Sequence, residues 1–343
     1  MIHGASGVKL APMAAPQVAP NTISDPAGER RNPLVDLSAP QLEQALRRFL
    51  PSARLRAHAL AKSGQSNTNY VLDTSEGKFV LRVHVRDGAL GAKERALYEH
   101  CRRLVPLAAL VGTEPDGSTL GHAFSLLEFV AGDTLEAVMI AGASERLETA
   151  ACNLGHALAQ LVTCQFERMG DLAADAGDGS LVVRAWPFGD FEQQALFESP
   201  AAARLGPLRD EVWAFLERAR QRYAHHLPPH LVHGDFNPSN LLIAEDGEVS
   251  AILDWEFAHA GNVWADIGNL LRYRGVPLPG SFTLRLLEGL TDGGFKPAKD
   301  WHALSLLADL SSALEFLGST NDKPQTHARA LSQIRGTLAA LRE

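Results

Sequence analysis

The chain has 343 residues, 45% hydrophobic and 21% charged, the balance of an ordinary globular protein that can build a core without a disulfide or metal staple. The net charge is −8: residues 1–130 carry 15 basic and 12 acidic side chains and the remainder 17 and 28, and so acidic a second half argues against nucleic acid as a partner. No run reaches the roughly 18 apolar residues of a membrane span, and Cys101, Cys152 and Cys164 form no CxxC pair, so the expectation is a cytoplasmic chain with free thiols and no membrane partner.

Residues 1–33 are rich in Ala, Pro and Gly, lack the apolar stretch of a secretory signal and are expected to form a flexible tail. The rest divides into a strand-rich lobe over 34–130 and a mainly helical lobe over 131–343. "SAPQLEQALRRFL" places Leu42, Leu46 and Leu50 every four residues behind a possible cap at Ser38, which predicts a helix. "YVLDTSEGKFVLRVHV" alternates apolar and polar residues on both sides of a Ser-Glu-Gly turn, which predicts a hairpin. A helix is expected over "GAKERALYEHCRRLV", and "AFSLLEFVAGDTL" reads as a strand that breaks at Gly132. Beyond it helices are expected over about 145–167, 208–226 and 300–318, with strands only around 231–233, 240–244 and 249–253. A small sheet followed by a larger helical lobe predicts an α+β fold with a cleft between the two.

One stretch carries chemistry. "LVHGDFNPSNLLI", residues 231–243, sets His233, Gly234, Asp235 and Asn240 between two apolar runs. Pro238 prevents a regular helix between Asp235 and Asn240. A second carboxylate, Asp254, follows the next apolar run in "AILDWEFAHAG". Hard cations such as Mg²⁺ bind oxygen and usually keep substrate phosphates in their shell. An Asn and an Asp at neighbouring strand ends could hold such an ion and leave Asp235 to face a hydroxyl, which is the division of labour of phosphoryl transfer. Asx turns capping strand ends would explain any one of these residues alone, but not the ordered set.

"HGDFNPSN" followed by "ILDWE" resembles the aminoglycoside phosphotransferase and choline kinase family, a branch of the protein-kinase-like fold, and the likeness runs over residues 40–320. The resemblance implies ATP and Mg²⁺, with Asp235 as catalytic base and Asn240 and Asp254 as metal ligands. It implies that His233 holds the catalytic loop together and that Asp266, in "VWADIGNLL", is a structural carboxylate beneath it. "SGQSNTNYVL" resembles the phosphate loop: Gly64 lets backbone amides approach phosphates closely, and Ser66 and Asn67 stand at the tip. The next strand puts Lys78, Val80 and Arg82 on one face. The family's phosphate-binding cation falls at Arg82, where kinases commonly carry Lys, and the planar guanidinium still pairs with phosphate and carboxylate. Its acidic partner is Glu94 or Glu99. Five residues at about 100° each separate them by about 140° around the helix, so only one can face the cleft, and the resemblance favours Glu94. "LLEFVAG" resembles the hinge, where backbone groups of Glu128 and Val130 would read adenine.

Other readings fit less well. A protein kinase would need GxGxxG, Asp-Phe-Gly and Ala-Pro-Glu elements; here Trp255 and Glu256 follow Asp254. "HHLPPHLVH" offers His225, His226, His230 and His233 to zinc, but Pro228 and Pro229 break any helix that would align them, and no Cys lies near. A serine hydrolase would need GxSxG, which is absent. A non-catalytic pseudokinase would require a lost base or metal ligand, and none is missing. For the acceptor, "VRAWPFGDFEQQALFE" supplies Trp186, Phe188, Asp190 and Glu192, and "SALEFLGS" supplies Glu315. Aromatic rings with acids would suit an ammonium-bearing alcohol, although the same rings could simply pack a helix junction. The expectation is a kinase that moves the ATP γ-phosphoryl group to a hydroxyl of an aminoglycoside-, amino-alcohol- or sugar-like acceptor.

Overall fold

The computed structural model describes residues 34–61, 67–85, 89–185, 191–222, 228–272, 278–320 and 323–341. The expected tail, 1–33, lies outside them. The first lobe opens with α1 (Ala39–Phe49), which buries Leu42, Ala45 and Leu46. The Leu37 N–H donates to Tyr70 Oη at 2.9 Å and anchors the chain ahead of the helix. Then come β1 (Leu55–Leu60), β2 (Thr68–Thr74), β3 (Gly77–Val83), α2 (Ala89–Cys101), β4 (Leu110–Glu114) and β5 (Phe124–Glu128). The strands form one antiparallel sheet in the order β1-β2-β3-β5-β4. Strand alternation decides what this sheet does. Phe79, Leu81 and Val83 point into a core shared with Leu42, Leu46, Leu72, Phe124 and Leu126, which turns Arg82 to the opposite face.

The second lobe starts with the two-residue strand β6 (Asp133–Thr134), which runs directly into α3 (Leu135–Ala141). Thr134 caps that helix by accepting the Ala137 N–H at 3.1 Å. There follow α4 (Ser144–Thr163), β7 (Gly170–Ala174), β8 (Leu181–Ala185), α5 (Phe191–Glu198), α6 (Pro200–Leu205), α7 (Leu208–Arg222), β9 (His230–Val232), β10 (Leu241–Ile243), β11 (Val249–Ile252) and β12 (His259–Gly261). The chain continues through α8 (Trp264–Arg272), α9 (Gly280–Asp292), α10 (Trp301–Gly318) and α11 (Pro324–Ala340). Helices α4 and α9 approach so closely that a Cβ on Gly155 would run into the α9 backbone and one on Gly289 into the α4 backbone. Among the described residues no helix is long and apolar enough to cross a membrane.

The expectation that this lobe holds only three short strands is corrected. Beside β11-β10-β6 there is a second sheet in the order β8-β7-β12-β9. "GDLAA" and "HAG" are too short and too poor in branched residues to show a period of two. The pairing of His259 with both Asp171 and Val232 is made entirely across the chain. The helix expected to run to 167 stops at Thr163, where Cys164 leaves helical backbone and its carbonyl accepts the Leu231 N–H at 2.9 Å. These two sheets hold the ends of β9, β10 and β11, from which the candidate catalytic residues project.

Candidate active site

The loop after β9 is fixed from below. Asp266, in the first turn of α8 and fully buried, accepts the His233 N–H on Oδ2 at 2.8 Å and the Gly234 N–H on Oδ1 at 2.9 Å. Burial pushes its carboxyl up to about 7, while the two N–H donors pull the other way. Gly234 has φ +80°, and a Cβ there would run into the Phe257 carbonyl, so the turn requires glycine. His233 Nε2 lies 2.8 Å from the Leu253 carbonyl and its Nδ1 3.2 Å from the Asp235 N–H. The ring therefore donates through Nε2 and accepts at Nδ1, which is the neutral tautomer, and burial holds its pKa below the usual histidine value. Its edge packs on Trp255, with centroids 4.7 Å apart. His233 thus ties the Asp235 loop to the residue just before Asp254.

Asp235 is held by two amides. Asn237 Nδ2 donates to Oδ1 at 2.7 Å, and Asn240 Nδ2 donates to Oδ2 and to the main-chain oxygen, both at 2.9 Å. Both acceptors oblige the Asn240 NH₂ to face Asp235, which turns Oδ1 away from that carboxylate. Asn237 in turn accepts the Ser239 N–H at 3.0 Å and hydroxyl at 2.6 Å on its own oxygen. Asn237 is not among the expected site residues. An Asn two residues from an Asp, with Ser two further on, is the signal of such a local network.

Across the cleft, Arg82 joins the lobes. Its Nη1 pairs with Glu94 Oε1 at 2.6 Å and its Nη2 lies 2.8 Å from Asp254 Oδ1. Burial alone would favour loss of its proton, but the Asp254, Glu94 and Glu256 carboxylates outweigh that and raise its pKa. Glu99 is exposed and pairs with Arg102 at 3.0 Å instead. Lys78 is exposed and sits 5.9 Å above the Phe129 ring. Asp254 has φ +61°, the only positive φ at a non-glycine residue among those described. The left-handed backbone, tolerated by Asp, ends β11 and begins a short 3₁₀ turn, Trp255–Phe257. That turn gathers further contacts that sequence reasoning missed. Asn67 Nδ2 donates to Glu256 Oε2 at 3.3 Å, and Lys93 Nζ donates to the Glu256 carbonyl at 2.8 Å. His84 Nε2 meets Ser125 Oγ at 2.9 Å beside Glu94. A small recess between the lobes is lined by Asn67, Arg82, His84, Lys93, Glu94 and Glu256.

The remaining expected residues divide. Glu128 and Val130 sit where the chain leaves β5 for the second lobe. The Glu128 N–H donates to the Ala109 carbonyl at 2.8 Å and the Phe129 N–H to the Lys78 carbonyl at 3.0 Å. Gly64 and Ser66 of the expected phosphate loop lie outside the described residues, as do Trp186, Phe188 and Asp190 of the acceptor stretch. Glu192 accepts the Ser311 hydroxyl at 2.8 Å. Glu315 is one turn further along α10 from Ser311 and is exposed. Zinc finds no purchase at His230 or His233. His230 is within 3.0 Å of the Pro228 carbonyl and 2.7 Å of the Val263 N–H, so both nitrogens of both rings are engaged by backbone; His225 and His226 lie outside the described residues. Among the described residues no three His, Cys, Asp or Glu side chains converge on a metal position. Asn240 Oδ1 and the Asp254 carboxylate, whose Oδ1 meets the Arg82 guanidinium at 2.8 Å, are oxygen donors of the kind a hard cation completed by phosphates takes.

The profile of the phosphotransferase enzyme family matches residues 58–307. The chain belongs to the phosphotransferase enzyme family. Members of known structure share its α+β, protein-kinase-like fold. Aminoglycoside phosphotransferase APH(4)-Ia superposes with a TM-score of 0.66 at 17% identity, over 89% of this chain and 99% of that one. The ternary complex of a thermostable mutant of that enzyme with ADP and hygromycin B gives 0.64 at 15% identity, over 88% and 99%. A curated mouse relative, acyl-CoA dehydrogenase family member 10, is 28% identical over 247 residues. That match takes in 67% of this chain but only 21% of the mouse protein, so the chain spans about a fifth of that relative's length. For a phosphotransferase, the arrangement above offers a fixed carboxylate on one lobe and a carboxylate-held cation reaching over from the other.

Proposed function

We propose that this phosphotransferase is a small-molecule kinase that transfers the γ-phosphoryl group of ATP to a hydroxyl of a small, cationic acceptor. The observation that carries the reading is the Glu94–Arg82–Asp254 chain, with contacts of 2.6 and 2.8 Å, which sets a desolvated cation of one lobe against a carboxylate of the other. Arg82 would meet the phosphates, backbone groups of Glu128 and Val130 the adenine, and Gly64, Ser66 and Asn67 the phosphate oxygens. Asn240 Oδ1 and Asp254 would hold Mg²⁺, which supplies positive charge beside the phosphate oxygens when bound.

In transfer, the acceptor oxygen forms a bond to the γ-phosphorus as the bond to the β-phosphate oxygen breaks and ADP leaves. Asp235, its oxygens oriented by Asn237 and Asn240, aligns the hydroxyl and takes its proton late. Neutral His233 and buried Asp266 keep this carboxylate in register with the strand end at Asp254. Most of the acceleration comes from charges set in place before the reaction. The acidic second lobe, 28 acidic against 17 basic side chains, supports a cationic acceptor. The neighbour crystallised with hygromycin B supports a polyhydroxylated one. A coupled ADP-release screen with Mg·ATP over aminoglycosides, amino alcohols, macrolides and sugars tests the proposal. It predicts that one class raises ADP release well above the acceptor-free rate; no response across the panel contradicts it.

A further inference from the structure

Lys93 and Glu94 are neighbours on α2, about 100° apart around the helix, and they reach in different directions. Glu94 turns to β3 and meets Arg82. Lys93 turns to the other lobe and donates to the Glu256 carbonyl at 2.8 Å, in the turn that follows Asp254. We propose that Lys93 is a positioning residue: it ties α2 to the turn Trp255–Phe257, and so holds Glu94 against Arg82 and Arg82 against Asp254. The inference rests on the nucleotide site proposed above.

Three observations support it. First, the contact is to a main-chain oxygen. A bond to a carboxylate could follow that side chain through its rotamers, whereas a bond to a carbonyl fixes α2 relative to the backbone that carries Asp254. Second, a lysine that merely sought solvent would leave this place. Desolvation pushes the ammonium below the usual lysine range, and the Asp171 and Glu256 carboxylates oppose that push, so the group stays at a cost in hydration. Third, the same turn receives the other parts of the site. Asn67, expected at the tip of the phosphate loop, donates to Glu256 Oε2 at 3.3 Å, and Gly234 of the catalytic loop abuts the Phe257 carbonyl. A displaced α2 would loosen the Glu94–Arg82 pair without disturbing the Asp235 loop, which is anchored separately on Asp266.

The test uses the full chain with two probes, Mg·AMP-PNP binding by calorimetry and ADP release from Mg·ATP without acceptor. Wild type is compared with Lys93→Met, Lys93→Arg, Glu94→Gln and the double variant Lys93→Met/Glu94→Gln. Lys93→Met is expected to weaken AMP-PNP binding about 10- to 100-fold, the range of a lost charge-assisted hydrogen bond, with melting within a few degrees of wild type. Lys93→Arg, which keeps a charged donor, is expected to recover most of that affinity. Because Lys93 acts through Glu94, the double variant should bind no more weakly than Glu94→Gln alone. Should Lys93→Met fail to fold, Lys93→Gln takes its place in the same comparison. Wild-type affinity in Lys93→Met, or losses that multiply in the double variant, overturns the inference and leaves the kinase reading standing. A wild type that binds no nucleotide overturns both.

Discussion

Removing the carboxylate of Asp266 should unseat the catalytic loop. Its two oxygens receive the His233 N–H at 2.8 Å and the Gly234 N–H at 2.9 Å, both buried. In Asp266→Ala each donor loses its partner, and an unmatched buried donor costs about 1–3 kcal/mol, so the gross loss is about 2–6 kcal/mol. Deletion also relieves the desolvation that pushes this carboxyl up to about 7, so a net loss toward the lower end, about 2–4 kcal/mol, is expected. Against a typical stability of about 5–15 kcal/mol, that should lower the melting temperature by about 3–6 °C. Asp266→Asn keeps one acceptor but aims an NH₂ at the other donor, so it should do no better than Ala. The sign with pH follows from the raised value. Between the ordinary 3.8 and about 7 the native carboxyl holds a proton that the unfolded chain has released, so its contribution to stability falls as pH rises through that window. Melting of both proteins at pH 5 and pH 8 should therefore show a gap that narrows at the higher pH. An Asp266→Ala protein that melts within about 2 °C of wild type at both values would show that the loop does not depend on this carboxyl.

Two further outcomes are expected. Arg82→Ala leaves the Glu94 and Asp254 carboxylates facing the phosphates without their shared cation, and KM for ATP should rise at least about tenfold, with partial recovery in Arg82→Lys. Steady-state kinetics that show unchanged KM and turnover would pass the role to Lys78. Gly234→Ala forces a side chain onto φ +80° and into the Phe257 carbonyl, a strain of about 1–3 kcal/mol before the clash is counted. Melting temperature and phosphoryl transfer should fall together, and a variant with wild-type values of both would show that the loop does not need this turn.

What could be read from the sequence was whatever repeats locally or sits in an ordered motif. Alternation along "KFVLRV" was enough to put Arg82 on the face opposite the core, and helical spacing was enough to see that Glu94 and Glu99 cannot both reach it. The second-lobe sheet was hidden because its strands are three to five residues long, and their pairing is decided by partners far along the chain. Asp254 was readable as an acidic strand end, but its left-handed backbone was not, since that conformation is imposed by the turn it opens. Lys93 read as one more charge on a helix surface. Only the approach of the second lobe makes it a contact, and no period or spacing within α2 encodes that approach.

Asp235 is proposed to serve the acceptor, and Arg82, Asn240 and Asp254 the nucleotide. Asp235→Asn keeps the size and most of the hydrogen-bonding shape of the side chain and removes its charge. The decisive measurement pairs Mg·ATP affinity by calorimetry with turnover on the acceptor found in the screen. Affinity within about threefold of wild type together with transfer reduced about 10²–10⁴-fold, the usual contribution of a positioned general base, is the predicted result. Wild-type turnover in Asp235→Asn, or a wild-type chain that binds ATP and phosphorylates nothing in the panel, would contradict it.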